Sequence, residues 1–292
     1  MVTELQIALI SGILSMLGWG LADFFAKKTV DRIGDLRTLF WSQIFGLVPI
    51  LIYLFLNFKL PHLTLRLVLH FILVSFFGSF GILLFYRGLS KGKASVITPI
   101  YSSYAAFAVF ISFLIFHEVI IGLTWLGLGS IFFGIILASF DYGEIKEVDF
   151  ELKDLSKGVL ETLIAAIIMG LYFPFWNSFL SDTGWPVFLL LNNFVICITV
   201  LIISLFKKFT LRIKGRNLWV WLLIVGVFTS GAFLTLVWGF NKTDFTSIIS
   251  ILSAASPVVV IILARIFLKE RMSLTQKLGV VLVLLGLIII SI

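Results

Sequence analysis

Apolar positions fill this chain in ten long stretches, parted by short polar connectors. They cover residues 5–26, 36–56, 67–89, 95–116 and 123–140, then 158–180, 187–206, 218–240, 247–268 and 274–292. About 20 mostly apolar residues wound as a helix cross the hydrocarbon core of a bilayer, and such a helix satisfies its own backbone hydrogen bonds. Each stretch therefore predicts one transmembrane helix.

The second five stretches repeat the first five at a constant offset of 152 residues. Tyr86 falls on Trp238, Glu118 on Glu270, Gly127 on Gly279, Gly134 on Gly286 and Ser139 on Ser291. Because five is odd, the second copy enters the bilayer upside down, an arrangement that points to transport. The expected fold is an all-α integral membrane protein of ten helices in two inverted five-helix repeats. Residues 1–140 form the first repeat and 158–292 the second. The charged stretch 141–157 joins them as a solvated surface segment without chemistry of its own.

Composition places the chain in the same class, with 60% hydrophobic and only 13% charged residues and a mean hydropathy of +1.15. That is far more apolar than a soluble domain. The first stretch is too long for a signal-peptide core and lacks a basic leader, so it is expected to remain as a span. Cys197 is the single cysteine, which leaves no intrachain disulfide and no thiolate metal site. No cofactor or metal is expected. The net charge of +7 is scattered through connectors and forms no basic stripe, which excludes a nucleic-acid partner. Its value is topological: one face of the ten-span arrangement holds 19 Lys and Arg, whereas the other holds Lys59, Arg66 and Lys242. Basic loops stay cytoplasmic, which puts both termini outside. The basic loops follow spans 1 and 3 in the first copy and the second and fourth spans in the second, as inversion requires.

Ionisable residues inside or beside spans are the first candidates for chemistry. Asp23 and Lys27 stand at i and i+4 near the end of span 1 and can pair along the helix, or face a cavity and meet substrate. Glu161 can pair likewise with Lys157. Arg87 and Arg265 are placed either to neutralise an acidic substrate group or to bind lipid phosphate at headgroup level. Glu118 and Glu270 occupy one repeat position, where a carboxylate can cap the helix that follows or bind a basic residue of the facing loop.

Polar and aromatic residues within spans make a stronger candidate site. Trp19, Tyr86, Tyr101, Tyr104, Tyr172, Trp176, Asn177 and Trp238 come from spans 1, 3, 4, 6 and 8, with Ser102, Ser103, Ser250, Ser253 and Ser256 from spans 4 and 9. Aromatic faces with hydrogen-bonding edges accommodate an organic solute, and interfacial belt placement is the alternative for some of them. Pro99, Pro174 and Pro257 each remove a backbone donor inside a span and are expected to kink it. Gly127 and Gly134, mirrored by Gly279 and Gly286, recur every two turns and let spans 5 and 10 approach other helices closely.

These residues resemble the drug/metabolite transporter superfamily, in particular its ten-span EamA-type members. The resemblance covers the full length: Trp19-Gly20 with Lys27 further along, the Pro-containing ninth span, and acidic turns at Glu118 and Glu270 before glycine-rich spans 5 and 10. It implies a central cavity built mostly from spans 1, 3, 4, 6, 8 and 9, and export or exchange of small metabolites such as amino acids by alternating access. It supports Tyr101 and Tyr104 in the fourth span and Tyr172 and Asn177 in the sixth as cavity residues. An aromatic residue expected near Met169 is absent. Family members usually have cytoplasmic termini, against the loop charges.

The expected function is a secondary transporter of a small organic metabolite, with a lipid flippase or scramblase carrying a membrane-open groove as the alternative. No HExxH, paired cysteines or phosphate loop supports an enzyme, and His117 beside Glu118 has no nucleophile. The halves are expected to rock about the midplane and close through the ends of spans 3, 4, 8 and 9. A proton as coupling partner rests on Asp23 and Glu161. Beyond the metabolite and the bilayer no partner is expected, and a duplicated chain favours a monomer.

Overall fold

The computed structural model describes residues 3–57, 64–116, 122–139, 157–177, 185–243 and 246–290. They form helices α1 (Glu4–Ile33), α2 (Asp35–Leu56), α3 (Leu65–Lys91), α4 (Ala94–Ser102), α5 (Tyr104–Phe116), α6 (Gly122–Ser139) and α7 (Val159–Asn177). After these come α8 (Trp185–Phe206), α9 (Arg216–Phe240), α10 (Thr246–Ala254), α11 (Ser256–Leu263), a π-helical turn (Ala264–Leu268) and α12 (Leu274–Ile290). Among the described residues there is no strand.

Local chemistry sets the ends. Thr3 and Gln6 form a reciprocal capping box that starts α1, which stops at Gly34, where φ is +83°. Thr64 accepts from the Leu67 amide, 3.2 Å, to start α3. Six segments are long and apolar enough to cross a membrane unaided, α4 and α5 together supplying one of them. Four shorter apolar helices, Gly122–Ala138, Val159–Tyr172, Ser256–Leu268 and Leu274–Ile289, complete the set of ten. Large side chains such as Phe55, 88% exposed, and Phe206, 86% exposed, lie on the outer surface, where lipid covers them.

Spans 4 and 9 are each broken once, at the same repeat position. Ser103 interrupts the fourth and Ala255 the ninth, 152 residues later. The two breaks share a pair of backbone hydrogen bonds. The Ser103 amide donates to Ile100 and that of Ala106 to Ser103, while the Ala255 amide donates to Leu252 and that of Val258 to Ala255. These are three-residue turns inside α-helices, which shift backbone direction near mid-membrane. Pro257 contributes in the ninth span, since it follows the break and has no N–H for the preceding turn. The other two prolines sit in helices that run on. Pro99 lies buried inside α4, four residues before the break, and the helix runs on past it. Ser103, whose hydroxyl bonds back to the Ile100 carbonyl at 2.5 Å, marks the bend instead. Helix α7 continues through position 174, and the Pro174 side chain lies outside the described residues. Pro49, unremarked in the sequence, sits inside α2.

The two halves interdigitate. Helix α1 packs on α9, α10 and α11, α2 on α8 and α9, α3 and α5 on α7, and α6 on α12. These principal contacts all cross between repeats. The α6–α12 seam is close-packed, as the glycine spacing predicts. A Cβ on Gly279 would stand 2.3 Å from the Ala138 amide nitrogen, and one on Gly134 2.7 Å from the Gly279 carbonyl oxygen. Ser130 donates to the Leu282 carbonyl, 2.8 Å, across the same seam.

Candidate functional site

A cavity of about 370 Å³ lies where the repeats meet, within the range typical of small-molecule sites, roughly 300–1,000 Å³. Helix α1 supplies Trp19 and Asp23, one turn apart, on a face held close to its neighbours. A Cβ on Gly18 would stand 2.8 Å from that of Ala232, and one on Gly20 2.4 Å from that of Val259, so only glycine permits this approach. Tyr86 enters from α3, with its hydroxyl 3.5 Å from Ser42 Oγ.

The break in span 4 carries the aromatic wall. Tyr101 precedes the Ser103 turn and Tyr104 follows it, their rings 5.6 Å apart, while Phe85 stacks on Tyr101 at 3.9 Å. Tyr172 of α7, in one cluster with Tyr101 and Tyr104, lies on α3 at Gly78, where a Cβ would stand 2.5 Å from the ring. Its hydroxyl donates to Asn192 Oδ1, 3.1 Å. Met169, where an aromatic residue was expected, also lines the cavity, with its sulfur against Gly81. Ser102, Ser250, Ser253 and Ser256 contribute hydroxyls, Ser253 also bonding back to the Ile249 carbonyl.

Asp23 is the one charged residue on the described wall, and within electrostatic reach of Tyr86, Tyr101 and Tyr104. Among the described residues it has neither an ion pair nor a hydrogen bond. The expected Asp23–Lys27 pair is not formed. Lys27 Nζ instead donates to Asp31, 2.8 Å, and to the Leu89 carbonyl, 2.8 Å, because its side chain extends toward the end of α1 and away from the cavity.

Several other candidates lie outside the cavity. Trp238 is 36% exposed. The cavity stripe of α9 is Thr229, Ser230, Phe233, Leu236 and Phe240, and Trp238 stands two residues from its last members, roughly 200° round the helix. Arg87 donates to Asp35, 2.9 Å. Arg265 is exposed in the π-helical turn. Glu161 pairs with Lys91 from the end of α3 instead of with Lys157, since α7 starts against that end: a Cβ on Gly158 would stand 2.4 Å from the Gly88 carbonyl oxygen. Glu270 accepts from the Ala94 amide, 3.0 Å, and from the Ser95 amide, 2.9 Å, and hydroxyl, 2.7 Å. It caps α4 of the other repeat, not the helix that follows it. Glu118 and the side chains of Trp176 and Asn177 lie outside the described residues.

These ionic contacts share the basic face. There Glu270, Arg87–Asp35, Lys91–Glu161 and Lys27 tie together the ends of α1 and α3 and the starts of α2, α4 and α7. The cavity wall runs the other way, reaching Phe240, the last residue of α9.

Spans 2 and 7 were not expected to contribute, yet Gln43 of α2 and Asn192 and Asn193 of α8 line the cavity. Asn193 Nδ2 donates to the Gln43 carbonyl, 3.4 Å. The available signal was two adjacent amides inside an apolar run, costly in lipid unless they face a cavity or a partner.

A profile of the EamA-like transporter family matches residues 6–140 and again 156–292. The chain belongs to that family. An uncharacterized protein of Methanocaldococcus jannaschii is 30% identical over 135 residues, which make up 96% of that protein and 45% of this chain. That relative is about one repeat long. A solved crystal structure of a protein 17% identical shares the fold, with a TM-score of 0.65 over 97% of this chain and 95% of that one. This EamA-like protein is thus a multi-pass membrane transporter of the drug/metabolite type.

Proposed function

We propose that this transporter carries a small organic solute bearing an amine, in exchange for protons, by alternating access through the cavity at the repeat interface. The observation that carries this reading is Asp23: an unpaired carboxylate on a wall with no basic residue among the described lining. A lone carboxylate away from bulk water favours a cation, and a protonated amine supplies one. The aromatic rings of Trp19, Tyr86, Tyr101 and Tyr104 add attraction for the same charge. Amides and hydroxyls from Gln43, Asn192, Asn193 and Ser253 hydrogen-bond the rest of the solute. A solute with net negative charge finds no counter-charge among the described lining.

Asp23 can hold a proton or an amine but not both, which gives exchange a physical basis. Glu161 has no part in this, being paired with Lys91 away from the cavity. The contacts on the basic face and the cavity's extension toward the opposite face support a conformation closed on the basic side. Walls drawn from both repeats favour solute entering from water over a groove open to lipid.

The test is counterflow in proteoliposomes with separate pools of labelled amines, amino acids and organic anions, with and without a pH gradient. The wild type should show saturable uptake driven by the gradient. Asp23→Asn should weaken half-saturation by roughly 30-fold or more, the ~2 kcal/mol lower bound for truncating a buried charge partner, and lose the response to pH. Unchanged pH-driven uptake in that variant rejects the coupling role, and saturable uptake of anions alone rejects the substrate class.

A further inference from the structure

We propose that the basic face carries a second site, separate from the transport cavity, that binds a phosphate group at membrane headgroup level. Connector 207–215, between α8 and α9, folds over the junction of α1 and α2 and is pinned there. Arg37 Nε donates to the Thr210 carbonyl, 2.9 Å, with the guanidinium 4.4 Å from the centre of the Phe209 ring. Trp41 donates to the Leu211 carbonyl, 2.9 Å. Ile213 is buried with Ile33, Leu218 and Leu222 beneath Trp41, Trp219 and Trp221. This is a packed surface.

Between connector and junction lies a pocket of about 310 Å³ lined by Ile33, Arg37, Thr210, Arg212, Ile213 and Lys214. Three cations and a hydroxyl stand over two isoleucines, and no acid is among them. Lys207, Lys208 and Arg216 flank the pocket in sequence, and all three are exposed. Among the described residues, neither these three nor Arg212 and Lys214 form an ion pair. Among the described residues, the acids of this face are engaged elsewhere: Asp31 with Lys27, Asp35 with Arg87, Glu161 with Lys91 and Glu270 with the start of α4.

Uncompensated cations beside an apolar floor suit an anion with a greasy end. Arginine forks and lysines match phosphate oxygens, and indole rings such as Trp41, Trp219 and Trp221 mark the interfacial depth where lipid phosphates lie. The shared chemistry is a phosphate oxyanion, and its two sources are an anionic phospholipid headgroup and free phosphate. The isoleucine floor is the feature that free phosphate leaves unused.

The test titrates the purified full chain in detergent with short-chain phosphatidylglycerol, short-chain phosphatidylcholine or inorganic phosphate at constant ionic strength. Bound lipid is read by native mass spectrometry and thermal stability in parallel. Phosphatidylglycerol should bind more tightly than phosphatidylcholine. The double variant R212Q/K214Q should weaken it by roughly 30-fold, about 5-fold per cation near an anionic surface. K242Q, on the opposite face, should change nothing and serves as the folding control. Displacement of the lipid by millimolar inorganic phosphate, lost in the same variant, would assign the site to free phosphate. Equal binding by wild type and R212Q/K214Q, or no preference for either anion over phosphatidylcholine, would overturn the site.

Discussion

At the scale of single residues, helical phase decides which candidates meet solute. Tyr86 and Trp238 are equivalent in the repeat, yet only Tyr86 reaches the cavity, because α9 turns a stripe two residues away toward it. Tyr101→Ala should therefore raise the half-saturation concentration in counterflow by about tenfold or more, since an aromatic contact in a desolvated pocket is a typical affinity anchor. Trp238→Ala should leave it within about twofold, as befits an exposed position. Equal losses in the two would show that the repeat relation, not the helix phase, identifies the solute contacts. Trp19, Asp23 and the four cavity tyrosines, Tyr86, Tyr101, Tyr104 and Tyr172, were legible because their residue types are unusual in apolar spans. Asn192 and Asn193 were equally unusual, but α8 was expected to be peripheral, and only the packing of α2 on α8 and α9 brings them in.

Elements carry the closure. Glu270 ties the segment after the ninth span to the first turn of α4 through three hydrogen bonds, where the helix terminus also favours negative charge. Sequence proximity suggested the helix directly after it as the partner. The π-helical turn and the left-handed Lys269, with φ +55°, redirect the chain and aim the carboxylate across the repeat boundary. Glu270→Gln keeps an acceptor but loses the charge, and it should destabilise the closed basic face by about 1–2 kcal/mol. Cysteines introduced near Ala94 should then react faster with a water-soluble thiol reagent in a Cys197→Ser background. Unchanged labelling would show that the contact only caps α4. The α6–α12 seam should respond differently. Gly279→Ala forces a Cβ against backbone and should cost about 1–3 kcal/mol in thermal stability, with little effect on labelling at the basic face.

At the scale of the whole molecule, the hydrophobic pattern was sufficient for ten helices and their inversion, because lipid leaves a chain few other ways to satisfy its backbone. The interlock of the halves was not legible, since periodicity locates an apolar face without naming what covers it. In the structure the principal helix contacts cross between repeats: α1 with α9, α3 with α7, α2 with α8 and α6 with α12. Residues 1–140 or 158–292 alone would leave those faces, with Gly134, Gly279, Asn192 and Asn193 on them, against lipid. A relative of about one repeat length in Methanocaldococcus jannaschii sets the same problem, which pairing of two copies would solve. Expressed separately, each half should fail to accumulate as a folded species. Expressed together, with the chain cut within 141–156, they should co-purify and restore counterflow, because the cut falls in a connector outside the described contacts. If either half alone folds and binds solute, the cavity is not built by the two together, and the meeting of Asp23 with Tyr172 and Asn192 in one wall loses its meaning.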